Sequence, residues 1–87
     1  MIFCVEDDAG IRDLMIYTLT ASGFEAEGFA DAREFFAAMR TARPELVMLD
    51  IMLPGEDGIS ILKKLRANPA TSAVPVSMAT AQATEDD

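Results

Sequence analysis

Histidine and tryptophan are absent from this sequence of 87 residues, and cysteine occurs once. Without histidine, the chain alone cannot form a Ser-His-Asp triad, a Cys-His pair or a His-ligated metal site. The single cysteine, Cys4, excludes an internal disulfide and a Cys-x-x-Cys motif. Because low cysteine use is typical of reducing compartments, we expect a cytoplasmic protein, with Cys4 as a small core residue.

Basic residues are also scarce, since seven Lys and Arg stand against fifteen Asp and Glu and the net charge is −8. An acidic surface repels phosphate backbones and anionic lipids, so we expect this segment to contact neither nucleic acid nor membranes directly. No apolar run is long enough to span a bilayer. The length allows one domain, and a hydrophobic content of 51% is ordinary for a globular fold.

Four short segments have the pattern of strands. Ile2–Val5 and Leu46–Leu49 are continuous apolar runs, which are typical of strands buried on both faces. Residues 24–29 alternate, which predicts a half-exposed strand at a sheet edge. Residues 74–78 predict a fourth strand, because a proline such as Pro75 is tolerated near a strand start.

Apolar residues at helical spacing occupy the segments between these strands. The predicted helices run from Ile11 to Ser22, from Asp31 to Arg43 and from Ile59 to Asn68. Gly23 is a natural residue after a helix end, and Glu34, three residues after Asp31, completes a capping-box pattern. A basic stripe on the second helix is interpreted as a solvated face, and it consists of Arg33, Arg40 and Arg43. The alternation of strands and helices predicts an α/β fold with a parallel sheet covered on both faces.

Acidic side chains follow two of the predicted strands. Glu6-Asp7-Asp8 follows the first strand, and Asp50 follows the third. If the strand order is 2-1-3-4, these two strands are neighbours, and Asp7 and Asp50 converge beyond their carboxyl ends. Crowded carboxylates repel, so unless one is protonated the site needs a cation, and oxygen ligands favour Mg²⁺. Each acid taken alone also fits a simple turn-forming role.

Two further side chains give this crevice a candidate chemistry. Asp50 is placed to act as a nucleophile that forms an aspartyl phosphate. Thr80 follows the fourth strand, where its hydroxyl could bond a phosphoryl oxygen.

Three stretches of the sequence together resemble the receiver domain of two-component response regulators. They are Phe3–Asp8, Leu46–Gly58 and Pro75–Ala81, and their order and spacing fit along the whole chain. The resemblance implies a flavodoxin-like (CheY-like) parallel sheet of order 2-1-3-4. It also implies a signalling domain, not an enzyme, that accepts a phosphoryl group from a histidine kinase or a phosphotransfer domain.

The same resemblance implies a metal site. Asp50 would be the phosphoacceptor, and Asp7 and Asp50 would bind Mg²⁺ directly. Glu6 would act mostly through water, and the backbone carbonyl of Met52 would supply another oxygen ligand. Asp8 is interpreted as facing solvent.

Residues outside the metal site also have counterparts in the family. Thr80 matches the switch hydroxyl, and the Ala81 amide would face the phosphoryl group. The first helix helps to dock the kinase's phosphotransfer domain in this family, so Ile11, Arg12 and Met15 are candidates for partner contact.

The resemblance stops short of a whole receiver. The family has five βα units, and this chain matches four strands and three helices, so we expect residues 1–87 to form a single incomplete domain without the fifth unit. The family's site lysine has no counterpart, and Lys63 and Lys64 lie on the third helix. We therefore expect weak phosphorylation, and a chain that is marginally stable or forms a homodimer or domain swap through its exposed sheet edge and uncovered face. Residues 84–87 fit either a helix start or an acidic tail.

Two other functions stay open. One is a haloacid-dehalogenase-like phosphatase, which also uses an Asp nucleophile after a strand but needs a second Asp where this chain has Met52. The other is a truncated or engineered fragment that assembles through its exposed edge and does not signal.

Overall fold

Strands and helices alternate along the computed structural model, which describes residues 1–79. The strands β1 to β4 are Ile2–Val5, Ala26–Phe29, Leu46–Asp50 and Val76–Ala79. The helices α1 to α3 are Ala9–Ala21, Ala32–Met39 and Gly58–Ala67. Thr80, Ala81 and the segment 84–87, for which the sequence supported specific predictions, lie outside the described residues. No helix within residues 1–79 is long and apolar enough to cross a membrane.

The four strands form one parallel sheet in the order β2-β1-β3-β4, which confirms the predicted order 2-1-3-4. Val5, the last residue of β1, pairs with Leu49 of β3, and Leu49 pairs with Met78 of β4. Because the strands are parallel and in register, the residues that follow β1 and β3 leave the sheet side by side.

The two faces of the sheet are covered to different extents. Helices α2 and α3 pack on one face, where the rings of Phe3, Phe29 and Phe35 meet edge to face at centroid distances of 4.9 to 6.3 Å. Helix α1 lies on the other face, over β1 and β2. Strand β1 is therefore buried on both faces, as predicted.

Strand β3 differs from the prediction of full burial. Its residues alternate, with Val47 and Leu49 buried and Leu46 and Met48 half-buried. The cause is the position of α1, which covers β1 and β2 and leaves the corresponding face of β3 partly open. Met48 and residues of α1 line a groove of about 300 Å³ on this face.

The starts and ends of the helices follow local signals, with one exception. The Asp31 side chain accepts the Glu34 N–H at 2.9 Å, as expected of a capping residue. Gly23 follows the end of α1 with a φ of 97°, which favours glycine. Helix α2, however, ends at Met39 and not at Arg43. The Arg43 guanidinium lies beyond the last turn and donates to the backbone carbonyl of Met39, so it bonds the helix end from outside.

Candidate functional site

Three carboxylates meet where β1 and β3 leave the sheet. One oxygen from each of Glu6, Asp7 and Asp50 lies within 4.8 Å of the others. Two loops contribute to this cluster, because Glu6 and Asp7 follow β1 while Asp50 is the last residue of β3. The convergence of Asp7 and Asp50 that follows from the strand order is thus present in the structure.

Glu6 is the most buried member of the cluster, with 6% of its surface exposed. Its Oε2 accepts the backbone N–H of Asp8 at 3.1 Å. Burial raises the pKa of the Glu6 carboxyl, and the neighbouring carboxylates of Asp50 and Asp7 raise it further. The hydrogen bond from the Asp8 N–H lowers this pKa, but its effect is smaller than that of burial. Loss of the Glu6 proton is therefore less favourable than for an exposed Glu, and a nearby cation would make it more favourable.

Asp50 is half-buried and held by the loop that follows it. Its Oδ1 accepts the backbone N–H of Met52 at 3.0 Å. The Met52 side chain is exposed, and it borders a crevice of about 540 Å³ that Asp7 and Asp57 also line. The crevice adjoins the carboxylate cluster through Asp7, which belongs to both.

Gly58, the first residue of α3, lies close to the backbone of this loop. Its N–H donates to the carbonyl of Ile51 at 3.0 Å. A Cβ atom at Gly58 would lie 2.6 Å from the carbonyl oxygen of Asp50 and 2.9 Å from Ile51 Cα. Only glycine permits this approach, so Gly58 positions the end of β3 relative to α3. The sequence analysis included Gly58 in the Leu46–Gly58 motif but did not predict this close approach to Asp50.

Arg12, a residue of α1, contacts the acidic loop of Glu6 and Asp7 that follows β1. Its Nη1 donates to the backbone carbonyl of Glu6 at 2.7 Å and lies 3.5 Å from that of Asp7. Gly28 of β2 leaves room for it, because a Cβ there would lie 2.8 Å from Arg12 Cγ. The sequence reading placed Arg12 on a partner-binding surface and missed this contact, since it depends on how α1 packs across the sheet.

Asp8 and the other predicted contact residues lie near the cluster without joining it. Asp8 is exposed, and its Oδ1 accepts the Ile11 N–H at 3.0 Å, which caps α1. Ile11 is exposed and Met15 is half-buried, and both line the apolar groove beside Met48.

Comparison with known proteins decides the family. The model of the response regulator receiver domain matches residues 2–87. This chain belongs to the response regulator receiver family. The receiver resemblance drawn from the sequence motifs is confirmed.

Among the relatives of this receiver domain is the DNA-binding response regulator MtrA of Mycobacterium leprae. It is 40% identical over 81 residues, which cover 93% of this chain and 35% of the relative. The phosphate regulon transcriptional regulatory protein PhoB of Rhizobium meliloti is 36% identical over 83 residues, which cover 95% of this chain and 37% of the relative. The receiver domain thus spans little more than a third of the length of these relatives.

Solved structures show the same fold. The N-terminal domain of a response regulator receiver protein from Methanoculleus marisnigri aligns with a TM-score of 0.88 and 33% identity, over 93% of this chain and 66% of that chain. The chemotaxis protein CheY4 of Vibrio cholerae aligns with a TM-score of 0.83 and 30% identity, over 88% of this chain and 64% of that chain. The predicted CheY-like fold is therefore confirmed for the part of the receiver that this chain contains.

Proposed function

We propose that Asp50 accepts a phosphoryl group, with Mg²⁺ as cofactor, from the phosphohistidine of a sensor histidine kinase or a phosphotransfer domain. The observation that carries this proposal is the convergence of Glu6 and Asp7 with Asp50 at the strand ends of a receiver fold. An Asp50 oxygen forms a bond to phosphorus while the bond between phosphorus and the donor imidazole breaks, and the imidazole then takes up a proton. Residues 1–87 contain no histidine, so the phosphohistidine lies outside this segment.

The carboxylate cluster fits a divalent cation. Three acidic side chains supply oxygen ligands within a short distance of one another, and burial of Glu6 makes their mutual repulsion costly. Oxygen ligands and a phosphoryl group are the usual environment of protein-bound Mg²⁺, with the backbone carbonyl of Met52 as a further candidate ligand. Mg²⁺ held by these carboxylates would neutralise charge on the oxygens of a transferring phosphoryl group.

The chain's own residues prepare Asp50 for this reaction. The Met52 N–H fixes Asp50 Oδ1, which leaves the second carboxylate oxygen as the nucleophile. Arg12 holds the backbone of Glu6 and Asp7 in place. Contact of the transferred phosphoryl group with the Thr80 hydroxyl and the Ala81 amide stays a prediction from the sequence.

Membership of the receiver family also supports a proposal for the location and role of residues 1–87. We place the exchange in the cytoplasm, and we assign the chain the role of a phosphoacceptor and not of an enzyme with its own substrate. Its MtrA relatives are named as DNA-binding regulators, but with a net charge of −8 we infer no direct DNA contact by residues 1–87. The phosphatase alternative has little support, because Met52 stands where that chemistry needs a second Asp.

A second proposal concerns association. On the α1 face, Met48 and apolar residues of α1 line a groove. Within residues 1–79 no strand pairs with the outer side of β4. Open strand edges and apolar grooves favour association with another chain. We infer that two copies pair through this edge and groove.

Phosphorylation is tested with the full chain, acetyl phosphate and Mg²⁺, followed by intact mass spectrometry. We expect an increase by the mass of one phosphoryl group, lost in Asp50→Asn and in excess EDTA. Asp57→Asn is the matched control, because Asp57 lines the adjoining crevice and Asn preserves its capping role at α3, so this variant should still be labelled. Labelling that survives in Asp50→Asn would contradict the assignment.

A further inference from the structure

A groove between α2 and α3 concentrates positive charge on this acidic chain. Its volume is about 290 Å³, and three of the seven basic residues line it, namely Arg40, Arg43 and Lys64. Within residues 1–79, no Asp or Glu lines this groove. On a chain with a net charge of −8, three cations around one groove favour an anionic ligand locally, with Glu56 paired to Lys64 beside the lining. The sequence analysis interpreted Arg33, Arg40 and Arg43 as a solvated face. In the structure Arg40 and Arg43 line a groove together with Lys64 of α3, and Arg33 does not.

The floor of the groove is apolar. Met39 and Leu65 are 4% and 1% exposed, and the Phe36 ring is half-buried beside them. Lys64 Nζ lies 5.8 Å from the centroid of the Phe36 ring, at the border between the apolar floor and the charged rim. An apolar floor inside a cationic rim complements a peptide that presents an apolar side chain flanked by carboxylates.

The three basic side chains differ in how many of their N–H donors already bond to other groups of the chain. Within residues 1–79, only Nη1 of the Arg43 guanidinium is used by the fold, since it donates to the backbone carbonyls of Met39 and Ala42. Lys64 pairs with Glu56 at 2.8 Å, but an ammonium group has three N–H donors. Arg40 is exposed and takes part in no ion pair within residues 1–79. Arg40 and Lys64 therefore have donors available to a ligand.

We propose that this groove binds an acidic peptide segment of a partner protein. Its apolar side chain rests on the half-buried Phe36 ring, and its carboxylates bond Arg40 and Lys64. The volume lies near the lower limit of ~300 Å³ for ligand pockets, which suits one side chain of a peptide. Nucleic acid fits less well, because the net charge repels a phosphate backbone. Asp50 does not line this groove, so peptide binding can be measured on the unphosphorylated chain.

The test uses the full chain, labelled with ¹⁵N, and a synthetic peptide, acetyl-Glu-Asp-Leu-Asp-Glu-amide. We expect saturable amide shifts at Phe36, Arg40 and Leu65, and weaker binding as NaCl is raised. The double variant Arg40→Gln/Lys64→Gln should bind about tenfold more weakly, since it loses two charge-assisted contacts.

The matched control is Arg33→Gln/Lys63→Gln, which removes the same charge from the same two helices outside the groove. We expect its affinity to stay close to that of the unchanged chain. The proposal is overturned if the peptide causes no saturable shifts, if both double variants lose affinity equally, or if acetyl-Gln-Asn-Leu-Asn-Gln-amide binds as well. Tighter binding of a single-stranded DNA oligonucleotide at the same amides would also overturn it. The shift map of the unchanged chain locates the site even if a variant folds poorly.

Discussion

Gly58 and Asp50 are so close that a Cβ atom on Gly58 would lie 2.6 Å from the Asp50 carbonyl oxygen. The contact joins backbone to backbone, so no side chain can turn away to relieve it. The position of Asp50, the proposed phosphoacceptor, therefore depends on a residue eight positions further along the chain.

The first prediction follows from this contact. Gly58→Ala should destabilise the fold by about 1–3 kcal/mol, because an added methyl group at a close-packed site forces the backbone to shift. The same shift moves Asp50, so the stabilisation by Mg²⁺ should also fall. Urea denaturation with and without Mg²⁺ measures both effects.

A matched control is available in the first turn of α1. A Cβ at Gly10 would lie 3.3 Å from the Asp8 carboxylate, which is the end of a flexible side chain. Gly10→Ala should be neutral or stabilising by up to about 1 kcal/mol, as expected for alanine in a helix. Equal destabilisation by the two substitutions would contradict the special role of Gly58.

The second prediction concerns the charge on Glu6. Its pKa is raised in the folded state, chiefly by burial, so the folded state binds the proton more tightly than the unfolded state. Stability should therefore fall as pH rises from the ordinary Glu pKa of ~4.3 through the raised value, and the loss should persist at neutral pH. Glu6→Gln should remove this loss and stabilise the metal-free protein by about 0.5–1 kcal/mol.

The same substitution should weaken Mg²⁺ binding, because it removes a negative charge from the carboxylate cluster. Thermal unfolding in EDTA and in Mg²⁺ separates the two effects, and Glu25→Gln, at an exposed position, is the control. A Glu6→Gln variant that is less stable in EDTA than the unchanged chain would show that its charge does not oppose folding.

The third prediction concerns the pair of Glu56 and Lys64. The hydrogen bond from Lys64 lowers the pKa of Glu56, with help from the Ser60 hydroxyl. This stabilisation is complete above the ordinary Glu pKa and should be lost as pH falls through the lowered value. The pair is partly exposed, so we expect a contribution of about 0.5 kcal/mol or less.

A double-mutant cycle with Glu56→Gln and Lys64→Gln isolates this contribution. The coupling between the two residues should be present at pH 7 and absent at pH 2. A coupling that stayed constant between these pH values would contradict the assignment.

The fourth prediction concerns association through the apolar groove. Leu14 lines the groove and is 63% exposed, so Leu14→Glu should cost little folding stability while placing a charge in the contact. We expect sedimentation equilibrium to show a dimer for the unchanged chain and a shift to monomer for the variant. Tyr17→Glu is the control, because Tyr17 is 69% exposed on α1 but does not line the groove. A monomeric unchanged chain would exclude association.

Local signals made much of the fold predictable from the sequence. The apolar run at Ile2–Val5, the Asp31 and Glu34 cap and the helix stop at Gly23 each depend on neighbouring residues and were confirmed. The convergence of Asp7 and Asp50 could also be predicted, because it follows from two strand ends and a strand order.

Features that depend on packing between distant segments were not predictable. The end of α2 is a local exception, because the helix stops at Met39, four residues before Arg43, and Arg43 bonds the Met39 carbonyl from outside the helix. Met48 is half-buried because α1 covers the neighbouring strands. The contact of Arg12 with the acidic loop requires the space at Gly28, which no local pattern reveals.

Helix α1 touches two surfaces at once, since Arg12 bonds the loop of Glu6 and Asp7 while Leu14, two positions on, lines the apolar groove. Binding events at two sites that share one rigid element exert equal and reciprocal effects on each other's equilibrium constants. Any factor by which a cation at the loop changes pairing through the groove must also appear as the factor by which pairing changes cation affinity. A measurement of metal affinity over a range of protein concentrations would therefore report on both surfaces.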